Sequence, residues 1–188
     1  MIVVFGSINI DLVARVPALP RAGETVAGPD YRVIAGGKGA NQALAARRAG
    51  AEVVMIGAVG RDGFAGPALA MLGEAGVDIS RVARVDAPTG AAFIAVDAGG
   101  QNQIVVAAGA NAAVHASTLD GIDTSSRDIL LLQWEVPEEE ILAAARWARA
   151  RDMRVVLNRA PAGPISAELA TLLDLVVVNE HEVLALGA

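Results

Sequence analysis

The chain opens on "IVVFG", an apolar β-branched run stopping at Gly6, and such a run reads as a strand buried on both faces. The pattern then changes to alternation: in "SINIDLV" the polar Ser7, Asn9 and Asp11 fall between Ile8, Ile10 and Leu12. Successive strand side chains point to opposite faces, so these three polar groups form one row. Asp and Asn are depleted in strands and costly to bury without partners, and the row therefore predicts a surface that faces a ligand.

The Pro/Gly-rich loop "PALPRAGETVAGPD" leads to a second short strand, "YRVIA". The glycine turn of "GGKGANQALAARRAG" then runs into an Ala-rich helix closed by Gly50. "AEVVMIGAVG" reads as a strand and "FAGPALAMLGEAGV" as a helix despite its internal Gly and Pro. In "GAAFIAVDAGGQNQIVVAAGAN" two β-type runs flank "DAGGQNQ", the pattern of a hairpin. From "DILLLQWE" onward the rhythm is regular: that strand, the helix "PEEEILAAARWARARD", the strand "RVVLN", the helix "ISAELATLLD" and the strand "LVVVN". Pro137 in the first turn of the middle helix, acids at its start and arginines at its end suit proline's fixed φ and the helix dipole. Strands alternating with helices predict an α/β fold with a parallel sheet covered on both faces, and the hairpin pieces form a separate flap.

Composition narrows the function. The 188 residues are 54% hydrophobic and 19% charged, which predicts one globular domain with a sizeable core. A net charge of −6 argues against nucleic acid and anionic membrane surfaces, because phosphates reward clustered Lys and Arg. A small-molecule ligand is the expectation. Absence of cysteine removes disulfides, thiolate metal sites and a cysteine nucleophile from consideration. No apolar run approaches the roughly 18 residues of a membrane span, and the N-terminus begins directly on strand-like sequence, so a cytoplasmic protein is expected.

Open α/β sheets bind ligands beyond the carboxyl ends of their strands. Here those ends carry Glu135 after "LLLQW", Asn158 after "RVVL", and Asn179 after "LVVV" with Glu180 and Glu182 following. Residues of these types also serve as turn formers and helix caps. Asn9, Asp11, Asn41 and Glu135 together offer the paired donors and acceptors that grip the hydroxyls of a polyol, so a sugar is the natural ligand. "GGKGAN" sets backbone N–H groups at a helix N-terminus with Lys38 inside the turn, and it matches neither the P-loop nor the dinucleotide fingerprint. His115 and His181 are isolated and expected at the surface or in packing; Trp134 and Trp147 are expected to pack; Arg146, Arg149 and Arg151 are expected to form a solvated helix end.

"GSINIDLV", "PRAGETV", "AGGKGANQALAARRAG", "AAGANAAV", "LLLQWE", "LNRAPA" and "NEHE", in this order, resemble the ribokinase family within the phosphofructokinase-B-type carbohydrate kinases, over essentially the whole chain. The resemblance implies a ribokinase-like three-layer α/β/α fold with a mostly parallel central sheet and a small β-sheet lid. Residues 1–188 would form one incomplete domain, with lid segments at about 10–36 and 88–108. It implies an ATP-dependent kinase acting on the 5-hydroxyl of D-ribose with Mg²⁺, a monovalent cation such as K⁺ bound elsewhere, and a homodimer formed through the lid. Asn9 and Asp11 match the family's ribose-binding pair, Gly37, Lys38 and Asn41 its second sugar-contacting motif, and Glu135 the carboxylate at the far side of the sugar. Asn179 and Glu182 match its N-x-x-E motif on the nucleotide side, with Glu182 directed to the metal.

Two departures qualify the match. The family's catalytic Asp, the glycine-rich anion hole and most of the adenine and cation sites lie in a C-terminal part beyond Ala188, so that part of the fold is expected to be absent and no catalytic residue is assigned. Arg159 stands where the family often has Pro. The alternative reading is a catalytically incomplete sugar-binding or regulatory protein, or a related kinase for another pentose, deoxyribose or a nucleoside.

Overall fold

The computed structural model describes residues 1–185. The chain forms strands β1 (Ile2–Phe5), β2 (Asn9–Arg15) and β3 (Tyr31–Gly36), then helix α1 (Lys38–Arg48). Strands β4 (Val53–Ile56) and β5 (Ala58–Val59), helix α2 (Ala65–Ala75) and strand β6 (Ala83–Arg84) follow. The hairpin β7 (Gly90–Val96) and β8 (Asn102–Ala107) is followed by 3-10 turns at Gly109–Ala113 and Ala116–Leu119. The rest alternates: β9 (Ile129–Gln133), α3 (Glu138–Arg149), β10 (Arg154–Asn158), α4 (Ala167–Leu172), β11 (Leu175–Val177) and the short α5 (Glu180–Val183).

The continuous apolar runs assemble the main sheet, all parallel, in the order β11, β10, β9, β1, β4. Burial on both faces is why the β1 and β4 runs do not alternate, whereas at the edge Leu175 and Val177 of β11 are exposed. Val3, Phe5, Leu130 and Leu132 turn to one side, where Ile141, Ala144, Ala145 and Ala148 of α3 and Leu169 of α4 pack on them. Val4 and Met55 turn to the other, toward Ala40 and Ala43 of α1 and Ala68 and Leu72 of α2. The result is the three-layer α/β/α arrangement. The four α3 residues recur at the spacing of one helix stripe, and each fully buried large side chain contributes about 1.5–3 kcal/mol.

The end of α3 is solvated as expected, with Arg146, Arg149 and Arg151 exposed, and it also carries surface ion pairs. Arg146 pairs with Glu168 of α4, and Arg149 Nη1 lies 2.9 Å from Asp174 Oδ2 just before β11, so two arginines tie α3 to the elements that follow it. The strand "LVVVN" also ends earlier than the apolar run suggests: β11 stops at Val177, and Asn179 caps α5.

The alternating segments form a second sheet in the order β3, β2, β7, β8, in which β2 is antiparallel to β3 and parallel to β7, and β7 and β8 form the expected hairpin. A minor pair joins β5 and β6. The chain passes between the two large sheets at Gly6–Ile8, Gly36–Gly37, Thr89 and Ala108, and polar side chains fasten the first and third of these crossings. Asp62 accepts from Thr89 N at 2.7 Å and Thr89 Oγ1 at 2.8 Å, and these bonds, the backbone one first, hold its carboxyl below the usual range. Asn111 receives Ile8 N–H at 2.9 Å on its carbonyl oxygen. Among the described residues no helix is long and apolar enough to cross a membrane.

Candidate functional site

An open cavity of about 680 Å³ lies between the carboxyl ends of the main sheet, the N-terminus of α1 and the inner face of the second sheet. Asn9, Asp11, Gly37, Lys38, Asn41 and Glu135, distant in sequence, all line it. The strand register explains the β2 contribution. Asn9 and Asp11 are two apart and share a face; Asp11 is paired with Ala92 of β7, which is paired with Val106 of β8, so all three point inward together.

Asn9 is buried, and its Oδ1 accepts from Asn111 Nδ2 at 2.7 Å. This bond fixes the amide and leaves its NH₂ toward the cavity without a protein acceptor among the described residues. Asp11 is half-buried, and its carboxyl is raised above the ordinary value, first by burial and then by the negative charge of Glu135. Glu135 is anchored differently: its Oε2 accepts from Ser7 Oγ at 2.6 Å and from Lys38 N–H at 3.1 Å, at the positive end of α1. Lys38 Nζ stands 4.0 Å from Glu135 Oε1. The turn itself depends on Gly37, whose φ of +91° favours glycine; a Cβ there would also lie 2.7 Å from Asn9 N and 2.9 Å from Ser7 O. Asn41 follows one turn later, its N–H bonded to Gly37 O at 2.9 Å, and so faces the cavity beside Lys38.

The roof, formed by the second sheet, is apolar apart from Asn9 and Asp11: Ala92, Ile94, Ile104 and Val106 line it, with Trp134 at one side. Lys38, Asn41 and Glu135 below, and Asn9 and Asp11 set in an otherwise apolar roof, suit a carbohydrate, whose hydroxyl edges need acceptors and donors while its C–H faces need cover.

Sequence reasoning missed three contributors. Ser7 belongs to the polar row, but its hydroxyl holds Glu135 and does not face the cavity. Asn111 lies 103 positions from Ile8, a contact no local pattern announces. Trp134 is more than packing: it lines the cavity, and the Arg159 guanidinium stacks on its ring at 3.8 Å. Arg159 is itself buried, donates to the Pro161 and Pro164 carbonyls and so supports the loop in place of the expected proline. Trp147 carries Arg151 in the same way at 4.4 Å. His115 is exposed with Nδ1 3.0 Å from Glu140 Oε1, and His181 is exposed beside Glu180.

Asn179 and Glu182 are not brought into the cavity. They form a reciprocal cap on α5: Asn179 Oδ1 accepts from His181 N at 3.0 Å and Glu182 N at 2.8 Å, and Asn179 N–H donates to Glu182 Oε2 at 2.9 Å. Among the described residues no group of three or more His, Asp or Glu side chains is placed to hold a metal. Glu182 nonetheless offers hard oxygen with lone pairs to spare, which fits Mg²⁺, an ion that takes one or two carboxylates and completes its shell with water and phosphate.

A ribokinase of Haemophilus influenzae is 40% identical over 184 residues, covering 95% of this chain and 60% of that protein. The crystal structure of a ribokinase from Thermotoga maritima superposes with a TM-score of 0.87 at 36% identity, over 97% of this chain and 60% of the other. The structure of Arabidopsis thaliana ribokinase complexed with ribose and ATP superposes with a TM-score of 0.86 at 29% identity, over 98% and 62%. The chain thus spans about 60% of the length of the relatives it matches. The model of the pfkB family carbohydrate kinases matches residues 1–187, and with the sheet order, the second sheet and the cavity in place, the chain belongs to that family.

Proposed function

We propose that this chain is the sugar-binding N-terminal portion of an ATP-dependent ribokinase, which transfers the γ-phosphoryl group of ATP to the 5-hydroxyl of D-ribose. The observation that carries this reading is the convergence of Asn9, Asp11, Gly37, Lys38, Asn41 and Glu135 on one cavity whose roof is otherwise apolar. Asn9 and Asp11 bind ribose hydroxyls from the second sheet, which acts as the lid. Lys38 and Asn41 bind from the turn of α1, and Glu135, held by Ser7 and the Lys38 N–H, accepts a hydroxyl at the far side. Phosphoryl transfer depends on placing the acceptor hydroxyl and neutralising phosphate charge, and these residues supply the placing.

Asn179 and Glu182 face the nucleotide side, where Glu182 would hold Mg²⁺ through water or phosphate oxygen. When bound, Mg²⁺ neutralises charge on the transferred phosphate. The proton acceptor for the hydroxyl is assigned to none of the residues here. The outer lid face, with Tyr31, Val33, Phe93 and Val105 exposed, is the surface through which we expect two copies to pair, in the cytoplasm where ATP is available.

Calorimetric titration with D-ribose, beside an assay for ADP formation from ATP and Mg²⁺, tests the reading. Ribose binding that is lost in Asp11→Ala supports it, and binding to 2-deoxyribose with equal affinity shifts the substrate to that pentose. Ribose binding without turnover favours the sugar-binding alternative. No binding of either sugar refutes the assignment.

A further inference from the structure

Three side-chain amides beside the cavity line up head to tail. Gln133, fully buried at the end of β9, donates from Nε2 to Gln42 Oε1 at 2.7 Å. Gln42, next to Asn41 on α1, donates from Nε2 to Asn158 Oδ1 at 3.2 Å. Asn158, at the end of β10, donates from Nδ2 to the Val177 carbonyl at 3.0 Å, at the end of β11. Each amide donates forward, so the dipoles reinforce one another. The row crosses from the strand that precedes Glu135, through the helix that carries Lys38 and Asn41, to the strand end two residues before Asn179.

Core packing does not account for this row. Gln133 Oε1 is buried with no protein partner among the described residues, a cost to folding, and a Cβ at position 6 would collide with it, so Gly6 is what leaves room for the amide. Apolar side chains of the same shape would avoid that cost. The row does supply α1 with a side-chain tie to two strands of the main sheet. The helix buries Gly39, Ala40 and Ala43 fully and Leu44 in part, and Arg47 ties its far end to the Ala75 and Ala51 carbonyls, which leaves the first turn, with Lys38 and Asn41, to be held by other bonds. Gln42, next to Asn41 and held from β9 and β10 at once, ties that turn to both strand ends.

We infer that Gln133, Gln42 and Asn158 form a positioning relay that orients Lys38 and Asn41 toward the sugar and transmits sugar binding to the segment bearing Asn179 and Glu182. The inference rests on the ribose reading above. None of the three touches the reacting groups; they act through α1 and β11.

Hydrogen exchange with and without D-ribose tests it, together with calorimetry on the wild type, Gln42→Met and Gln133→Met. In the wild type, ribose is expected to slow exchange both at 38–48 and at 177–182. In Gln42→Met the change at 38–48 persists in part, the change at 177–182 disappears, and the ribose Kd rises by up to about tenfold, the worth of one net hydrogen bond. An unaltered wild-type 177–182 segment on ribose addition, or the same response in Gln42→Met, overturns the relay. The wild-type arm decides this even where a variant fails to fold by circular dichroism. A wild type that binds no ribose at all fails at the calorimetric step, which refutes the ribose reading and removes the relay with it.

Discussion

In the five-stranded sheet, Val3, Phe5, Leu130 and Leu132 have no exposure at all, whereas in the four-stranded sheet Phe93, Ile104, Val105 and Val106 are 50%, 51%, 67% and 54% exposed. Both sheets are rich in β-branched residues and both have complete strand ladders. They differ in what covers them. The main sheet is covered by helices on both faces around β1 and β4, so burial fixes that part of its structure, while Leu175 and Val177 of its edge strand β11 stay exposed; the second sheet projects from it, and register and the polar fastenings at its base do most of that work. A surface held by hydrogen bonds at its base and left half-uncovered above is suited to closing on a ligand, because closure adds burial that the open form lacks.

The contrast can be broken most directly at Leu132. Leu132→Ala is expected to destabilise the chain by about 2–5 kcal/mol in chemical denaturation, as for a core truncation that leaves a cavity. A loss under about 1 kcal/mol would contradict burial as the main sheet's support. At the base of the second sheet, Asn111→Ala strips Ile8 N–H and Asn9 Oδ1 of their partner. The expected cost is about 1–3 kcal/mol, with faster amide exchange concentrated in β2. Exchange that rises equally across the main sheet would mean Asn111 supports the whole domain and not the lid.

The smallest effect has the opposite sign. The Asp11 carboxyl is raised above its ordinary value of 3.8, so between that value and its native one the folded state binds more protons than the unfolded state. Stability therefore falls as pH rises through that window, and the penalty is complete above the native value. Asp11→Asn removes it. The variant should melt higher than the wild type at neutral pH, with the advantage fading as pH drops toward 3.8, while its ribose affinity falls. A melting difference that is flat with pH would show that Asp11 carries no such penalty.

Periodicity made the main sheet legible because strands buried on both faces and stripes such as Ile141, Ala144, Ala145 and Ala148 leave local signatures. The polar row of β2 was legible for the same reason, and so was the hairpin. The boundary at Val177 was not, since an apolar run cannot show where its hydrogen bonds give way to a cap. Nor could any local pattern place Asn111 against Asn9 or Arg159 against Trp134, contacts made by the folded chain between distant segments. Asn179 and Glu182 illustrate the converse: their spacing reads equally as a ligand motif and a capping box, and the cap is what the geometry displays.

The two walls of the cavity also differ in their freedom to change. Gly37 has backbone on several sides and a left-handed φ, so the turn it makes is closed to variation, and with it the path of the chain past Lys38. Ile94, Ile104 and Val106 meet no such limit, being partly or largely open to solvent on a sheet whose ladder does not depend on their side chains. Altering the ring size or substituents a site like this accepts is therefore a matter of resculpting the roof, and laboratory selection for new sugars should accumulate its successful changes there while the glycine turn stays silent.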